Sequence, residues 1–370
     1  MKRLFSILAL VVMLLSCGNA YAYTYTITDL GSLDGAYSSA TSLSDSGTVV
    51  GSSQIADTSL HAFMWDSTNL IQDLGISNSG LDVAHAYSIN NSGYVVGTTL
   101  IAETPDYTSQ AFMWDSTNGT QLLPKLGGYL GTAYDINNSG VVVGSSSIST
   151  ASTTQYAFSW DSTNGVTNLG SFNNEGSRAK SINDNEEIVG ASLHSSGEWR
   201  AFLWDSTNGM QDILSKQSEA QDINSSGQIA GQYMDGSYEK AFIWDSTNGE
   251  TSIGWLGDGN NSDTAFSIND SGTVVGLSGG KAFVYDAANG IQDLNLLLSN
   301  DLGQTLDYAY AVNSSGQISA TGTLNGETRA FLLTPVPTPI PGTGLLLGTG
   351  LLGLAWLKRK KQSVPINKKT

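Results

Sequence analysis

A short phrase, Ala-Phe-x-Trp-Asp-Ser-Thr-Asn, returns along this chain at intervals far longer than any single helix or strand. The series of Ala-Phe pairs begins at Ala62, Ala111, Ala157, Ala201, Ala241, Ala282 and Ala330, and the first five continue through the whole phrase. The intervals run from 40 to 49 residues. A period of that length belongs to arrays of supersecondary units, each of which buries its apolar face only against its neighbours. A residue present in every unit serves packing first, so the repetition itself argues against a single catalytic centre.

Aligned on Ala-Phe, each unit divides into four short segments. The first ends in Ile-Asn, as in Ser88-Ile89-Asn90 and Ser181-Ile182-Asn183, and the second reads x-Val-Val-Gly, as at Tyr94 to Gly97. The third is Ala-Phe-x-Trp, and the fourth ends near Asp-Leu-Gly, as at Gln72 to Gly75. Each is β-branched or aromatic, four to six residues long, and bounded by Gly, Asn, Asp or Ser, which is strand patterning. Asn-x-Ser-Gly joins segments one and two, and Asp-Ser-Thr-Asn-Gly joins three and four. Both are turn sequences short enough to force antiparallel neighbours. Departures are few: Glu186 replaces a turn Gly, Ala320 a terminal Gly and Tyr285 the Trp.

The frame of the repeat carries the topology. The body opens with a fourth-type segment, Tyr25 to Gly31, and closes with a third-type segment, Ala330 to Leu333, so each end lacks what the other supplies. A ring closes if the N-terminal segment becomes the outer strand of the last unit. The expected fold is therefore all-β, a seven-bladed β-propeller of four-stranded antiparallel blades spanning residues 23–334. A β-solenoid or another blade count is the alternative. The repeat resembles the HAF family of extracellular repeat proteins: His61-Ala62-Phe63 matches the motif fully, and the match spans about 300 residues. What that resemblance implies is a secreted surface protein without an assigned reaction.

The chain ends read as addresses. Residues 1–22 form a signal peptide, with Lys2-Arg3, an apolar run from Leu4 to Leu15 and Ala20-Tyr21-Ala22 before the cut. Leu14-Leu15-Ser16-Cys17 is a partial lipoprotein site, and Cys17 is the only cysteine, so ordinary cleavage leaves neither disulfide nor thiol chemistry. At the other end, residues 335–341 form a Pro-rich spacer containing Pro335, Val336, Pro337, Pro339 and Pro341. Residues 342–357 are an uncharged apolar stretch, and residues 358–370 a basic tail that begins Lys358-Arg359-Lys360. Sixteen residues are short for a membrane span of about 20, and the basic flank sets a cytoplasmic end. This tail resembles the PEP-CTERM sorting signals that exosortases process in Gram-negative bacteria, departing from them where Thr338 stands in place of Glu. The implied partners are signal peptidase, an exosortase-type enzyme and the inner membrane, with release to the periplasmic face, cell surface or matrix. A plain membrane anchor predicts the same orientation.

Charge and side-chain inventory narrow the function. All 33 acidic residues lie between residues 23 and 341 with only eight Lys or Arg, a net charge near −25 that repels nucleic acid. Phe63 and Trp65 share one face of their strand in every copy, which assigns them to the core between blades and not to sugar stacking. Asp66, Asp115, Asp161, Asp205, Asp245 and Asp286 offer one carboxylate per turn; turn capping is the reading and Ca2+ the alternative, since calcium collects six to eight oxygens. No cofactor is expected. Arg178, Arg200 and Arg329 are the body's only arginines, and His61, His85 and His194 show no metal spacing. No acid/base pair stands out, so the chain reads as non-catalytic. Contacts are expected in the unrepeated loops, with Asp106, Tyr107, Trp255 and Asp258 as candidates. The favoured function is a surface or matrix binding module for exopolysaccharide or surface proteins. A purely structural coat and an extracellular polysaccharide-acting glycosidase are the alternatives, the last requiring carboxylates that converge over a central channel.

Overall fold

A computed structural model of the protein describes residues 24–56, 59–76, 83–102, 107–257 and 262–336, with the side chains of residues 102 and 107 set aside. Seven four-stranded antiparallel sheets form a ring. Blade 1 comprises Ser38–Leu43, Val49–Gln54, Leu60–Asp66 and Leu70–Asp73; blade 2, Ala84–Ile89, Val95–Ala102, Tyr107–Asp115 and Gly119–Leu122. Blade 3 comprises Gly131–Ile136, Val142–Ser147, Gln155–Asp161 and Gly165–Gly170; blade 4, Ser177–Ile182, Ile188–Leu193, Trp199–Asp205 and Gly209–Asp212. Blade 5 comprises Ser218–Ile223, Ile229–Asp235, Tyr238–Asp245 and Gly249–Ser252; blade 6, Asp263–Ile268, Val274–Ser278, Lys281–Asp286 and Gly290–Asp293. Blade 7 takes Gln304–Val312, Ile318–Leu324 and Glu327–Val336 from the C-terminal end and Thr24–Asp29 from the N-terminal end.

The closure follows the frame of the repeat, with Tyr25 opposite Pro335 and Asp29 opposite Phe331. The third strand of blade 7 runs through Pro335 and Val336, the first two residues of the segment expected to be spacer. They overhang the second strand, whose pairing ends at Ile318 opposite Leu333, so that side of the strand demands no proline N–H. The N-terminal strand's free edge is covered in turn. Tyr25 exchanges backbone hydrogen bonds with Leu297 and Ser299, and the Asn300 side chain bonds both Ile27 N–H and Ile27 C=O. A covered edge cannot template pairing with another chain.

The Ala-Phe pair works because adjacent strand residues face opposite sides. Phe112 packs back onto Val50, Ala62 and Leu74 of blade 1, while Ala111 meets Phe158 of blade 3. The same arrangement repeats at every junction and joins blade 7 to blade 1 through Ala330, Leu332 and Phe63. All seven phenylalanines of the series are fully buried, each stabilising the ring by about 2–3 kcal/mol. The Gly that ends x-Val-Val-Gly is steric. Each inner strand bulges one residue on, as between Ala40 and Ser42, and a Cβ at Gly51 would overlap the Ser39 carbonyl. Blade 7 has a second bulge between Leu306 and Tyr308, which moves the close approach to Gly322 and explains why Ala320 is tolerated. Leu70 stands where other copies of the outer turn have Gly and holds φ 58°, as Glu186 holds φ 61° in its turn.

Asn in Ile-Asn is the link between blades. Asn90 Oδ1 accepts from the Ser92 and Tyr94 amides of its own turn, and its Nδ2 donates to the Asn137 carbonyl of the next blade. Asn137, Asn183, Asn224 and Asn269 continue the chain, and Asn313 of blade 7 donates to the Ser44 carbonyl of blade 1, at 2.9 to 3.2 Å throughout. Ser44 is the single substitution in this girdle, and its side chain is too short to reach blade 2. Asn137→Ala should lower the denaturation free energy by about 1–2 kcal/mol, since it takes the acceptor from the part-buried Val141 amide and the interblade donor from the Asn183 carbonyl, which keeps only the Glu186 amide of its own turn. Ser44→Asn should complete the girdle and raise the urea midpoint; equal midpoints for both variants and the parent would refute the girdle's role.

Candidate functional site

The chain direction sorts the connections onto two faces. All Asn-x-Ser-Gly and Asp-Ser-Thr-Asn turns lie on one, the hairpin face, and the connections between strands two and three and between blades lie on the other, the loop face. On the hairpin face the Asp residues are consumed locally. Asp66 Oδ1 accepts the Thr68 and Asn69 amides and Oδ2 the Asn69 side chain, and these bonds hold its carboxyl below the usual range. Asp115, Asp161, Asp205, Asp245 and Asp286 cap their turns in the same way. Among the described residues no three metal-ligating side chains converge.

The central channel contains a feature that motif reading passed over. Ser181 Oγ stands within hydrogen-bond reach of both Asp135 and Asp222, at 2.9 and 2.8 Å, with one hydroxyl proton for the two, so two carboxylates do converge. Their oxygens are engaged: Asp135 also takes Ser88 Oγ and the Ile182 amide, and Asp222 the Ile223 and Ile268 amides. The run Ser88, Asp135, Ser181, Asp222, Ile268 ties blades 2 to 6 together from inside. Signals existed in the sequence, as Asp replaces Ser only in Asp135-Ile136-Asn137 and Asp222-Ile223-Asn224.

The loop face differs because three strand positions per blade escape the repeat. Two residues before Ala-Phe stand Leu60, Ser109, Gln155, Trp199, Glu239, Gly280 and Thr328, no two alike. At the start of the inner strand stand Ser39, His85, Thr132, Arg178, Glu219, Thr264 and Tyr308; at its bulge, Thr41, Tyr87, Tyr134, Lys180, Gln221, Phe266 and Tyr310. Aromatics gather there in two arcs, Tyr87 with Tyr134 at 5.7 Å and Phe266 with Tyr310 at 5.3 Å between ring centroids. Burial pushes the Tyr310 phenol up to about 12, so it stays neutral.

Blades 3 to 6 concentrate cations on this face. Arg178 lies 4.5 Å over Trp199, Lys180 4.6 Å over Tyr134, Lys216 3.5 Å over Tyr233 and Lys240 4.8 Å over Trp255. Each has an acid beside it: Glu219 binds Arg178 through Nε and Nη2 at 2.7 and 2.8 Å and is shared with Lys180 at 3.7 Å, Glu250 pairs with Lys216, and Asp263 with Lys240. A cleft of about 320 Å³ opens between blades 3 and 4, walled by Tyr134, Gln155, Glu175, Arg178 and Trp199. A smaller one of about 150 Å³ lies between blades 4 and 5, with Arg178 and Trp199 forming its other wall. The roomier cleft of about 370 Å³ between blades 6 and 7, on the hairpin face, is lined by turn residues and by Tyr25 and Pro335, where blade 7 has no outer turn.

Of the residues singled out from sequence, Trp255 is 48% exposed on the loop face beside Tyr238 and Lys240. Tyr107 opens the third strand of blade 2, opposite Ala102. Asp106 and Asp258 lie outside the described residues, as do residues 1–22, Pro337, Pro339, Pro341, the apolar stretch and the basic tail. Among the described residues no helix is long and apolar enough to cross a membrane. Arg200 and Arg329 occupy equivalent positions in blades 4 and 7, each paired with an acid, Asp212 and Glu327. Trp199 and Arg178 were missed as site residues; the signal was their departure from the repeat inside a strand.

Residues 37–174 match a family model described as a protein of unknown function (DUF3466), and no curated protein matches the chain. Solved structures similar to it include a gluconolactonase from Xanthomonas campestris, 9% identical over 84% of this chain and 90% of that one, TM-score 0.44. A puromycin-hydrolyzing peptidase from Mycobacterium tuberculosis is 10% identical, with TM-score 0.48, over 82% of this chain and 52% of its own. The Aleuria aurantia lectin AAL is 10% identical, over 87% and 99%, at TM-score 0.33. Likeness at this level says nothing of chemistry.

Asp135 makes the channel sensitive to pH. Burial, its largest influence, pushes the carboxyl up to about 6 against the Ser88 and Ile182 hydrogen bonds. The folded protein therefore keeps a proton there that the unfolded chain releases near 3.8. Stability from this group is full below about pH 4 and lost as pH rises to about 6. Asp135→Asn should flatten this decline, by at most about 3 kcal/mol relative to the parent. Parallel denaturation profiles of the two proteins from pH 4 to 7 would refute it.

Proposed function

We propose that the protein is an exported, non-catalytic binding module of the cell surface or extracellular matrix, with its contacts on the loop face of blades 3 to 6. The observation that carries this reading is the placement of Trp199, Trp255, Tyr134 and Arg178 at positions the repeat leaves open, on a ring whose other positions serve packing. A rigid scaffold presenting unrepeated aromatic and planar polar side chains along clefts is suited to recognition. The body's net charge near −25 suits an exported protein with little affinity for polyanions. The resemblance of the ends to a signal peptide and to a PEP-CTERM tail supports processing by signal peptidase, transient inner-membrane anchorage and release by an exosortase-type enzyme. Membership of the HAF-repeat proteins rests on the motif resemblance.

The glycosidase reading has one observation in its favour, the convergence of Asp135 and Asp222 in the channel. It is the weaker because both carboxylates hold backbone amides of the following blade, which leaves them poorly placed to exchange protons with a substrate. Mature masses from cells with and without the processing enzyme should differ by the C-terminal tail, and the purified protein should retain matrix polysaccharide without shortening it. Unchanged masses would remove the sorting proposal. Chain cleavage that Asp135→Asn and Asp222→Asn abolish would establish the hydrolase instead.

A further inference from the structure

We propose that the cleft between blades 3 and 4 is a subsite for one neutral pyranose unit of a polysaccharide, with Trp199 as its platform; this rests on the binding-module reading above. Trp199 stands apart from the five tryptophans that end Ala-Phe-x-Trp. It opens the third strand of blade 4 at a position where the other six blades carry six other residues, so packing does not demand it. It is half-buried, and Arg178 lies over its ring. Gly176 borders one ring edge, where a Cβ would make van der Waals contact with Trp199 Cη2 at 3.9 Å, and the ring forms part of the cleft wall. A sugar presents C–H groups to such a ring and hydroxyls around its rim.

The rim is supplied with planar, bidentate groups. Gln155, two residues before Ala-Phe in blade 3, accepts from Ser145 Oγ at 2.6 Å, which fixes the amide and leaves its NH2 as a donor. Arg178 spends Nε and Nη2 on Glu219 and retains Nη1. Glu175, exposed on the connection that enters blade 4 and lining the same cleft, is an acceptor for vicinal hydroxyls. Glu219 is shared by Arg178 and Lys180, and Glu175 adds a second carboxylate at the cleft, so the site carries no net positive charge for an anion and the charge of the whole body opposes one. The volume of about 320 Å³ admits a sugar ring and excludes a peptide helix.

The test uses the full mature protein on immobilised oligosaccharides, neutral hexose oligomers in one set and uronic-acid oligomers in another, with matrix extract alongside. Neutral oligomers should bind, with Trp199→Ala weakening them roughly tenfold or more and Trp199→Phe much less, while the thermal midpoint and a Leu122→Ala control, at an exposed position on the outer strand of blade 2, stay near the parent. Equal binding by Trp199→Ala, preference for uronic acids, or a protein ligand displaced by Trp199→Ala would each overturn the inference. Failure is separable from that of the wider reading: matrix retention insensitive to Trp199→Ala removes the subsite alone, and absence of any matrix retention removes both.

Discussion

No blade of this protein owns a hydrophobic core. Each sheet is apolar on both faces and buries them only between its two neighbours, so every blade depends on the ring being closed. Closure rests on one junction of separate chain ends, where Thr24–Asp29 pairs with Glu327–Val336 and the cluster around Tyr25, Ile27, Phe331 and Leu333 fills the gap to blade 6. The Asn girdle adds direction to this packing. Every Asn organises its own turn through Oδ1 and reaches forward through Nδ2, so a turn that forms correctly presents the donor that its neighbour's carbonyl needs.

That dependence fixes where chemistry can reside. The residues most repeated, Ala-Phe, Val-Val-Gly, Ile-Asn and the turn aspartates, are committed to neighbours and to turns. The channel carboxylates are committed as well: replacing Ser by Asp at residues 135 and 222 extends the reach of a side chain that already bridges blades, as Ser267 does when it accepts the Val312 amide. A buried acid that accepts an amide from the next blade is a structural tie whose cost is its own desolvation, and the raised pKa of Asp135 records that cost. What remains open is the outer end of the inner strand, its bulge and the start of the third strand, all on the loop face.

Much of this was legible in the sequence. Strand order, turn chemistry and ring closure follow from local patterning, because period-two alternation and turn residues act over a few residues, and the surplus segment at each end favours a ring over an open solenoid. The site was harder to read. Variation along the repeat suggested loops, and Trp255 does stand on one, yet Trp199, Gln155 and Arg178 vary within strands. Their meaning depends on which residues of adjacent blades meet across a cleft, 20 or more residues apart in the chain: Gln155 with Arg178, and Arg178 with Glu219. Asp135 likewise gains its role only when Ser88 and Ile182 arrive from blades 2 and 4. Leu70, at positive φ in place of Gly, shows the converse, a local rule overridden because its turn is held by Asp66 and by the strands on either side.

The electrostatic layout then separates general attraction from recognition. Four of the eight basic residues in the body sit on the loop face of blades 3 to 6, each against an aromatic ring and each with a carboxylate close by. With Glu219 shared by Arg178 and Lys180 and Glu175 at the same cleft, these groups contribute little long-range field, since opposite charges lie close together. They do hold aromatic rings at defined angles, because a guanidinium or ammonium fixed by an acid lies over one ring face and limits its rotamers. The face therefore offers oriented rings and directional hydrogen bonds with almost no net local charge, inside a body that repels anions. A surface built that way discriminates by shape and hydroxyl pattern, and a partner that relied on charge would find nothing there to hold it.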